Sequence, residues 1–339
     1  MTKRILFTAI FSTLVTAAFS QTAKEIATKK AGDSIKAFYI DEAAARYPQL
    51  RQAHVSAEYI GNATVKSEYN GNNFYEGKAQ ITRIRSNFNL PIAQFGKNTI
   101  SGSVSYLQQH FDLSDGTSTN PNLPAENQRF NKSVGGLTLS FLRIDSIFNR
   151  PVIFIANATG ISDEFSSVKR FTFTGGLLFP IKRTPQTTIT VGLIAVIDPS
   201  SPIPAAPYFS YWHKFKTANL ELILDLPTRL AVRKQLSEKS WITLGSELGG
   251  SNFFFDFKNS ILPEDAMYST FEIKSGSTFE YKVTKKLILG VSGGILTTAN
   301  SRFFKRSETP NDYFIKNKIG SVPYVNFSVS FLPFVKLFK

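Results

Sequence analysis

Charged side chains occur at alternate positions in several segments of the chain, where they could bind or select ions. Arg83 and Arg85 are two residues apart, and Glu221 and Asp225 are four apart. Residues with these spacings share one face of a β-strand, because side chains alternate between its two faces. The charged residues predicted to face one common interior are Arg83, Arg85, Glu221, Asp225, Arg229, Arg233 and Glu247.

These interior charges support two interpretations. Rings of charged side chains in a pore select solutes by the sign of their charge. Alternatively, the charges form an ion-pair network that fills a lumen too narrow to conduct. The sequence slightly favours pairing, because acidic and basic residues alternate between the neighbouring segments on either side of Pro227.

Hydrolytic chemistry has less support. The chain has three histidines, and His110 is predicted near the outer end of its strand beside Asp112 and Asp115, whereas His54 and His213 are predicted near the opposite rim. A hydrolase at the outer rim of a barrel would need a nucleophile activated by such a histidine, and no serine is singled out. With no cysteine as well, a transition-metal site is disfavoured. We therefore predict no enzyme, no cofactor and no metal, and keep a rim hydrolase as a minor alternative.

The composition is unusual for a soluble protein. The 339 residues include 31 Phe and no Cys, carry a formal net charge of +14, and still have a mean hydropathy of −0.09. The absence of cysteine excludes disulfide scaffolds and iron–sulfur clusters. The positive charge would suit nucleic acid, but the first residues of the chain argue against that partner.

Residues 1–20 have the layout of a secretory signal peptide. Lys3 and Arg4 precede an apolar run that ends in small residues, which predicts cleavage between Ser20 and Gln21. A membrane anchor is the alternative, but the apolar run is short for a spanning helix. We predict a tail, a helix or a plug in residues 21–50, with a tail favoured, and one barrel in residues 51–339.

Beyond residue 50 the sequence alternates with period two, which is typical of strands with two different faces. Near the end of the chain, apolar Val325, Phe327 and Val329 alternate with polar residues. We count about fourteen strands, within limits of twelve and sixteen. Long polar connections at 61–77, 112–131 and 298–320 contrast with short turns elsewhere.

Alternation alone would also fit a soluble β-sandwich, but segments of ten or more residues exceed the usual soluble strand. The sequence therefore predicts an all-β fold, a transmembrane antiparallel up-and-down β-barrel with long extracellular loops and short periplasmic turns.

Two further sets of residues suit that fold. Aromatic residues near the predicted strand ends would form girdles at the two membrane interfaces: Phe179, Tyr208, Tyr211, Trp212, Trp241, Phe253, Phe254, Phe255, Tyr268, Tyr281, Phe303, Phe304, Phe331 and Phe334. Basic residues mark the short turns, where they would contact phospholipid phosphates or simply keep the turns soluble: Lys97, Arg150, Lys182, Arg183, Lys216, Lys239, Lys285 and Lys286.

The segments PYFSYWHKF at 207–215 and DLPTRLAVRKQL within 220–255 resemble an uncharacterised outer-membrane β-barrel family of Bacteroidota, a domain of unknown function. The resemblance covers about residues 50–338 and implies the cell outer membrane, without implying an activity. Barrels of this type often end in an aromatic residue, whereas this chain ends in Phe338-Lys339.

The leading functional expectation is a channel or transporter-like barrel for a small solute. The second is a plugged structural or surface-interaction barrel, and the third is the rim hydrolase. The expected partners are outer-membrane lipids and, during biogenesis, the barrel-assembly machinery, with no nucleic acid. The sequence does not specify the solute or the oligomeric state.

Overall fold

The computed structural model describes residues 41–163, 167–198, 204–258 and 261–333. It divides into two units, residues 1–50 and residues 51–339. In the described part of the first unit, residues 41–46 are helical and a 3₁₀ turn spans Pro48–Leu50. No helix in the described ranges is long and apolar enough to cross a membrane. The predicted signal peptide and Phe334 lie outside these ranges.

The described part of the second unit consists of fifteen β-strands. In chain order they are β1 (Ala53–Tyr69), β2 (Asn72–Phe95), β3 (Asn98–Ser118), β4 (Gln128–Ile147), β5 (Arg150–Asp163), β6 (Ser167–Arg183), β7 (Thr187–Ile197), β8 (Ala205–Phe215), β9 (Leu220–Leu226), β10 (Arg229–Gln235), β11 (Ser240–Asp256), β12 (Asp265–Lys282), β13 (Leu287–Lys305), β14 (Tyr313–Ile319) and β15 (Val322–Phe331).

The strands form one closed antiparallel ring. Each strand from β1 to β13 pairs with the next, and both β14 and β15 pair with β13 on one side and β1 on the other. β14 and β15 therefore occupy one position in the ring, which is fourteen strands wide. The predicted antiparallel up-and-down barrel of about fourteen strands is confirmed.

The ring has two rims. The proximal rim carries the first residue of β1, the last residue of β15 and the turns that follow the even-numbered strands up to β12. The distal rim carries the turns that follow the odd-numbered strands up to β13, and the connection between β14 and β15 lies within the wall. The polar segments predicted as long connections are largely strand. β1, for example, continues to Tyr69 and turns to β2 through Asn70 and Gly71, both with positive φ. Hydrophobic alternation fades in these polar segments, but the backbone ladder continues through them.

The outer surface of the ring carries an apolar belt. Phe327 is 60% exposed and Leu244 65% exposed, although both are large hydrophobic residues. Along β15 the exposed apolar side chains alternate with Asn326, Ser328 and the buried Ser330. The wall is therefore apolar outside and polar inside, which explains how so much Phe coexists with a mean hydropathy near zero.

A row of glycines crosses the wall at β11, β12 and β13. Gly245 pairs with Gly276, and Gly276 pairs with Gly294. A Cβ atom added to Gly276 would lie 2.2 Å from the carbonyl oxygen of Gly293, so the backbones approach too closely for any other residue. Such rows permit sharp bending of a sheet.

Near the distal ends of these three strands, neighbouring side chains that point to opposite faces are both buried. Phe253 and Tyr268 pack against Phe111 of β3, whereas the neighbouring Phe254 and Met267 pack with Ile161 of β5. A barrel wall normally has one buried and one exposed face. The distal ends of β11 to β13 therefore bend into the lumen.

Candidate functional site

A cluster of buried charged and polar side chains crosses the middle of the lumen. We call it the central cluster, and it comprises Glu58, Arg83, Gln109, Glu272 and Lys274. Glu58, Arg83 and Gln109 lie side by side on β1, β2 and β3, in one register row. Neighbouring inward positions in one row bring their side chains together.

Arg83 is at the centre of this cluster and is 1% exposed. Its Nε donates to Gln109 Oε1 at 2.9 Å, and its Nη1 donates to Glu58 Oε2 at 3.1 Å. The two terminal nitrogens also donate to the two oxygens of Glu272, each at 2.9 Å. This bidentate geometry is the strongest form of arginine–carboxylate pairing.

Glu272 reaches Arg83 across the lumen rather than along the wall. It belongs to β12, which is separated from β2 in the ring by β13, the β14–β15 position and β1. Thr270 Oγ1 donates to Glu272 Oε1 at 3.2 Å, and the Lys274 ammonium pairs with Glu58. Two cations and two carboxylates thus balance, as buried charges require.

Arg85 makes a second cross-lumen contact. Its Nη2 donates to the carbonyl oxygen of Gly250 on β11 at 3.3 Å. Replacing Gly250 with any larger residue would be unfavourable, because an added Cβ would lie 2.2 Å from the Thr270 carbonyl oxygen.

The remaining interior charges predicted from the sequence lie on β9, β10 and β11. Arg229 Nε lies 3.0 Å from Glu247 Oε1, and Arg233 Nη1 lies 3.5 Å from Glu221 Oε2. Asp225 accepts a hydrogen bond of 2.6 Å from the Ser210 hydroxyl. The structure therefore brings four of these residues together as two ion pairs on adjacent strands. Glu247 lies directly opposite Lys274 in the β11–β12 register, so its pair adjoins the central cluster, whereas the Arg233–Glu221 pair lies towards the proximal rim.

The two tryptophans lie inside this proximal part of the barrel. Trp212 Nε1 donates to Glu221 at 3.2 Å, and Trp241 Nε1 donates to Glu280 at 2.5 Å. Glu280 also pairs with Arg51 at 2.6 Å. The prediction that Trp212 and Trp241 belong to interfacial girdles is wrong, because each indole is buried and satisfies an interior carboxylate.

A group of six aromatic residues, of which Phe253, Phe255, Tyr268 and Phe303 were predicted for the girdles, closes the distal half of the lumen. We call this group the aromatic lid, and its members are Phe111, Phe130, Phe253, Phe255, Tyr268 and Phe303. Phe130 and Phe255 have ring centroids 6.3 Å apart, although β4 and β11 lie on opposite sides of the ring. The girdle assignment is wrong for Phe253, Phe254, Tyr268 and Phe304, all of which are buried.

The size of the ring shows why this contact matters. Fourteen strands about 4.8 Å apart and tilted by about 40° enclose a backbone circle about 28 Å across. That width exceeds the reach of two aromatic side chains, so opposite walls can touch only where strands bend inward. The glycine row supplies that bend.

The residues considered for hydrolysis have other partners. His110 Nδ1 lies 2.9 Å from Asn131 Oδ1, Asp112 pairs with Arg129 at 2.9 Å, and Asp115 pairs with Lys78 at 2.7 Å. The two carboxylates therefore do not orient the imidazole.

The eight basic residues predicted for the short turns all lie in or beside turns of the proximal rim, and we call them the rim cations. Lys97, for example, follows Gly96 between β2 and β3 and pairs with Asp145 at 2.7 Å. Arg150 begins β5, Lys182 and Arg183 end β6, and the others lie after β8, β10 and β12.

Of the five residues of the central cluster, Arg83 was predicted from the sequence and the other four were not. Glu58 and Glu272 sit at inward positions of β1 and β12, but they were not identified. On β12, Glu272, Lys274 and Glu280 share one parity, which is a period-two signal that could have found them.

Comparisons with known proteins concern the whole barrel. A family profile described as "Domain of unknown function (DUF6268)" matches residues 47–332. No curated protein matches the chain significantly. Among solved structures, it is similar to an outer membrane channel from Pseudomonas putida F1, with 11% identity over 83% of this chain and 96% of that one and a TM-score of 0.35.

Two further solved structures that are similar to the chain belong to other kinds of outer-membrane protein. A FadL homologue from Pseudomonas aeruginosa is 8% identical over 82% of this chain and 89% of its own, with a TM-score of 0.30. The outer membrane protease OmpT from Escherichia coli is 9% identical over 83% and 95%, with a TM-score of 0.18. Neither identity nor TM-score is high enough to transfer an activity.

Proposed function

Because the chain belongs to the family described as "Domain of unknown function (DUF6268)", we propose its function from its own geometry, as an outer-membrane β-barrel that conducts a small solute through a gated lumen. The observation that carries the proposal is a ring wide enough to conduct that is closed by side chains of its own wall. Paired charges cross its middle, and the aromatic lid closes its distal half.

The membrane location rests on the outer surface of the ring. A closed ring satisfies every strand edge, and an apolar belt such as the one around Leu244 and Phe327 is stable against lipid chains. With an even number of strands, both ends of the barrel lie at the proximal rim, which would face the periplasm. The predicted signal peptide would deliver the chain there.

The rim cations and the assembly route extend this proposal. Eight basic residues at the periplasmic rim would contact phospholipid phosphates, and the chain would be inserted by the barrel-assembly machinery. No nucleic acid, metal or cofactor is part of the proposal. A source in Bacteroidota and cleavage after Ser20 stay predictions.

The closed lumen calls for a gate rather than an open pore. The central cluster is charge-balanced, so it is stable when closed, and its contacts across the lumen are side-chain bonds from Arg83 to Glu272 and from Lys274 to Glu58. Breaking those bonds separates β1 and β2 from β12 without breaking a backbone ladder.

Planar-bilayer conductance tests this proposal. The double variant Arg83→Ala/Glu272→Ala removes the Arg83–Glu272 crossing and leaves Glu58 paired with Lys274, and we expect a larger and more frequent current than in the wild type. The control variant Lys66→Ala/Glu76→Ala removes an exposed ion pair of 2.9 Å on the same wall and should leave the current unchanged.

A plugged structural barrel is the second candidate. The pairing of Arg229 with Glu247 and of Arg233 with Glu221 favours it, because paired interior charges stabilise a filled lumen. It predicts that neither the wild type nor the Arg83→Ala/Glu272→Ala variant conducts, although both are folded.

A further inference from the structure

The barrel wall is interrupted at one place on the distal side. Between β13 and the β14–β15 position, pairing stops at Leu296 with Val322 and resumes at Arg302 with Lys316. On the other side, β1 pairs with β15 up to Ile60 and with β14 from Val65. We call the intervening residues, 61–64, 297–301 and 317–323, the seam.

Few bonds hold the seam together. The Gly320 amide donates to the Thr64 carbonyl oxygen at 3.0 Å, the hydroxyls of Thr297 and Ser321 lie 2.9 Å apart, and Asn317 Nδ2 donates to the Ser301 hydroxyl at 3.1 Å. Pro323 is paired with Ile295 of β13 but has no amide hydrogen to donate. A wall segment with so few backbone bonds opens at lower free energy than its neighbours.

The inner side of the seam is apolar, in contrast to the charged lumen beside it. Ile60, Ala63, Leu296, Val322 and Tyr324 form a buried hydrophobic cluster there. The central cluster begins immediately proximal to it, since Glu58 is two residues from Ile60 on the same face of β1.

The outer side of the seam adjoins the apolar belt. Tyr59, Ile295 and Val325, each exposed on the outer surface, lie directly proximal to the interruption on its three strands. Apolar surface outside and apolar surface inside therefore adjoin a part of the wall where residues 317–321 have no register pair with β13 and residues 320–323 have none with β1. The aromatic lid closes the route along the barrel axis from the distal side.

We infer that the seam is a side passage through which small apolar solutes move between the outer membrane leaflet and the lumen. This inference rests on the proposed function and assigns its solute class. An apolar molecule dissolved in the leaflet would pass the short polar side chains of the seam, among them Asn62, Thr297 and Ser321, to reach the buried cluster. Opening of the central cluster would then release it towards the proximal half.

A reversible cross-link tests the passage. The chain has no cysteine, so Thr297→Cys/Ser321→Cys introduces one pair across the seam, at positions where the wild-type hydroxyls are 2.9 Å apart. The matched control is Thr138→Cys/Thr159→Cys, also 2.9 Å apart but within the continuous β4–β5 ladder. Gly320→Phe fills the seam without a disulfide, since an added Cβ there is 3.8 Å from Thr64.

The readout is uptake of the apolar fluorophore N-phenyl-1-naphthylamine by cells whose outer membrane contains each protein. We expect oxidised Thr297→Cys/Ser321→Cys and Gly320→Phe to lower uptake to the rate of cells lacking the protein. Reductant should restore uptake in the cysteine pair, and the oxidised control pair should match the wild type.

Uptake that is equally fast in the oxidised and reduced seam variants overturns the side passage. Wild-type uptake no faster than that of cells lacking the protein overturns it as well. In either case, current through the Arg83→Ala/Glu272→Ala variant would still support the gated barrel, so the two proposals fail separately.

Discussion

Replacing Arg83 with Met should destabilise the barrel far more than the same replacement at an exposed arginine. Arg83→Met removes all four hydrogen bonds that join β2 to Glu58, Gln109 and Glu272. Glu58 keeps Lys274 as a partner, but Glu272, which is 4% exposed, loses its paired guanidinium and keeps the hydrogen bond from the Thr270 hydroxyl. The variant therefore leaves a buried carboxylate without a directly paired cation.

The magnitude follows from that unpaired charge. Removing one partner of a buried ion pair costs about 3–5 kcal/mol, whereas replacing both partners by neutral groups is often close to neutral. We expect Arg83→Met to lower the free energy of unfolding by about 3–5 kcal/mol. The double variant Arg83→Met/Glu272→Gln should recover most of that loss, because the Thr270 hydroxyl can still bond a neutral amide.

Urea unfolding of the barrel in phosphatidylcholine vesicles measures these changes, with the fluorescence of Trp212 and Trp241 as the signal. Arg129→Met is the matched control, because its guanidinium is 75% exposed and its pair with Asp112 contributes little in water. The reasoning is refuted if Arg83→Met and Arg129→Met unfold alike, or if the Glu272→Gln change adds to the loss instead of reducing it.

Three other outcomes follow from the structure. Leu139→Arg places a charge in the apolar belt and should cost about 2–4 kcal/mol if the belt contacts lipid chains, whereas Phe148→Arg in an exposed turn should cost much less; equal urea midpoints would contradict the membrane assignment. Brominated lipids should not quench Trp212 or Trp241, but should quench a tryptophan introduced by Phe171→Trp on the outer surface; efficient quenching of the native pair would place them at the interface. Replacing the rim cations with Gln should lower binding to anionic phosphatidylglycerol vesicles and leave binding to phosphatidylcholine unchanged, and equal losses in both would exclude phosphate contact.

The fold was predictable because period-two alternation is a local signal. It identified the strands around Leu137 and Val325 directly from neighbouring residues. The ends of β1 and β13 were not predictable in the same way, since both faces become polar beyond the belt and only hydrogen bonding to the adjacent strand shows that the ladder continues.

The site was less accessible to sequence reasoning. Period-two alternation predicted that Arg83 faces the interior. Its main partner, Glu272, is 189 residues away in sequence and lies across the lumen, so no local sequence pattern indicates the contact. Aromatic residues near strand ends suit a membrane interface and a folded-in wall equally well. Only the register of Gly245, Gly276 and Gly294 reveals the bend that turns Phe253 and Phe254 inward.

The shared position of β14 and β15 also bears on the order of assembly. Both segments follow the other thirteen described strands in the chain and pair with β1, the first strand of the ring, so the sheet has two open edges until they are available. Closure then requires two short paired stretches of β1 instead of one continuous ladder. Ala53 to Ile60 pair with β15, and Val65 to Tyr69 pair with β14. The joint at which the barrel is completed is thus also the joint that is interrupted along its length, and the proximal paired stretch can close the cylinder before the distal one is in place.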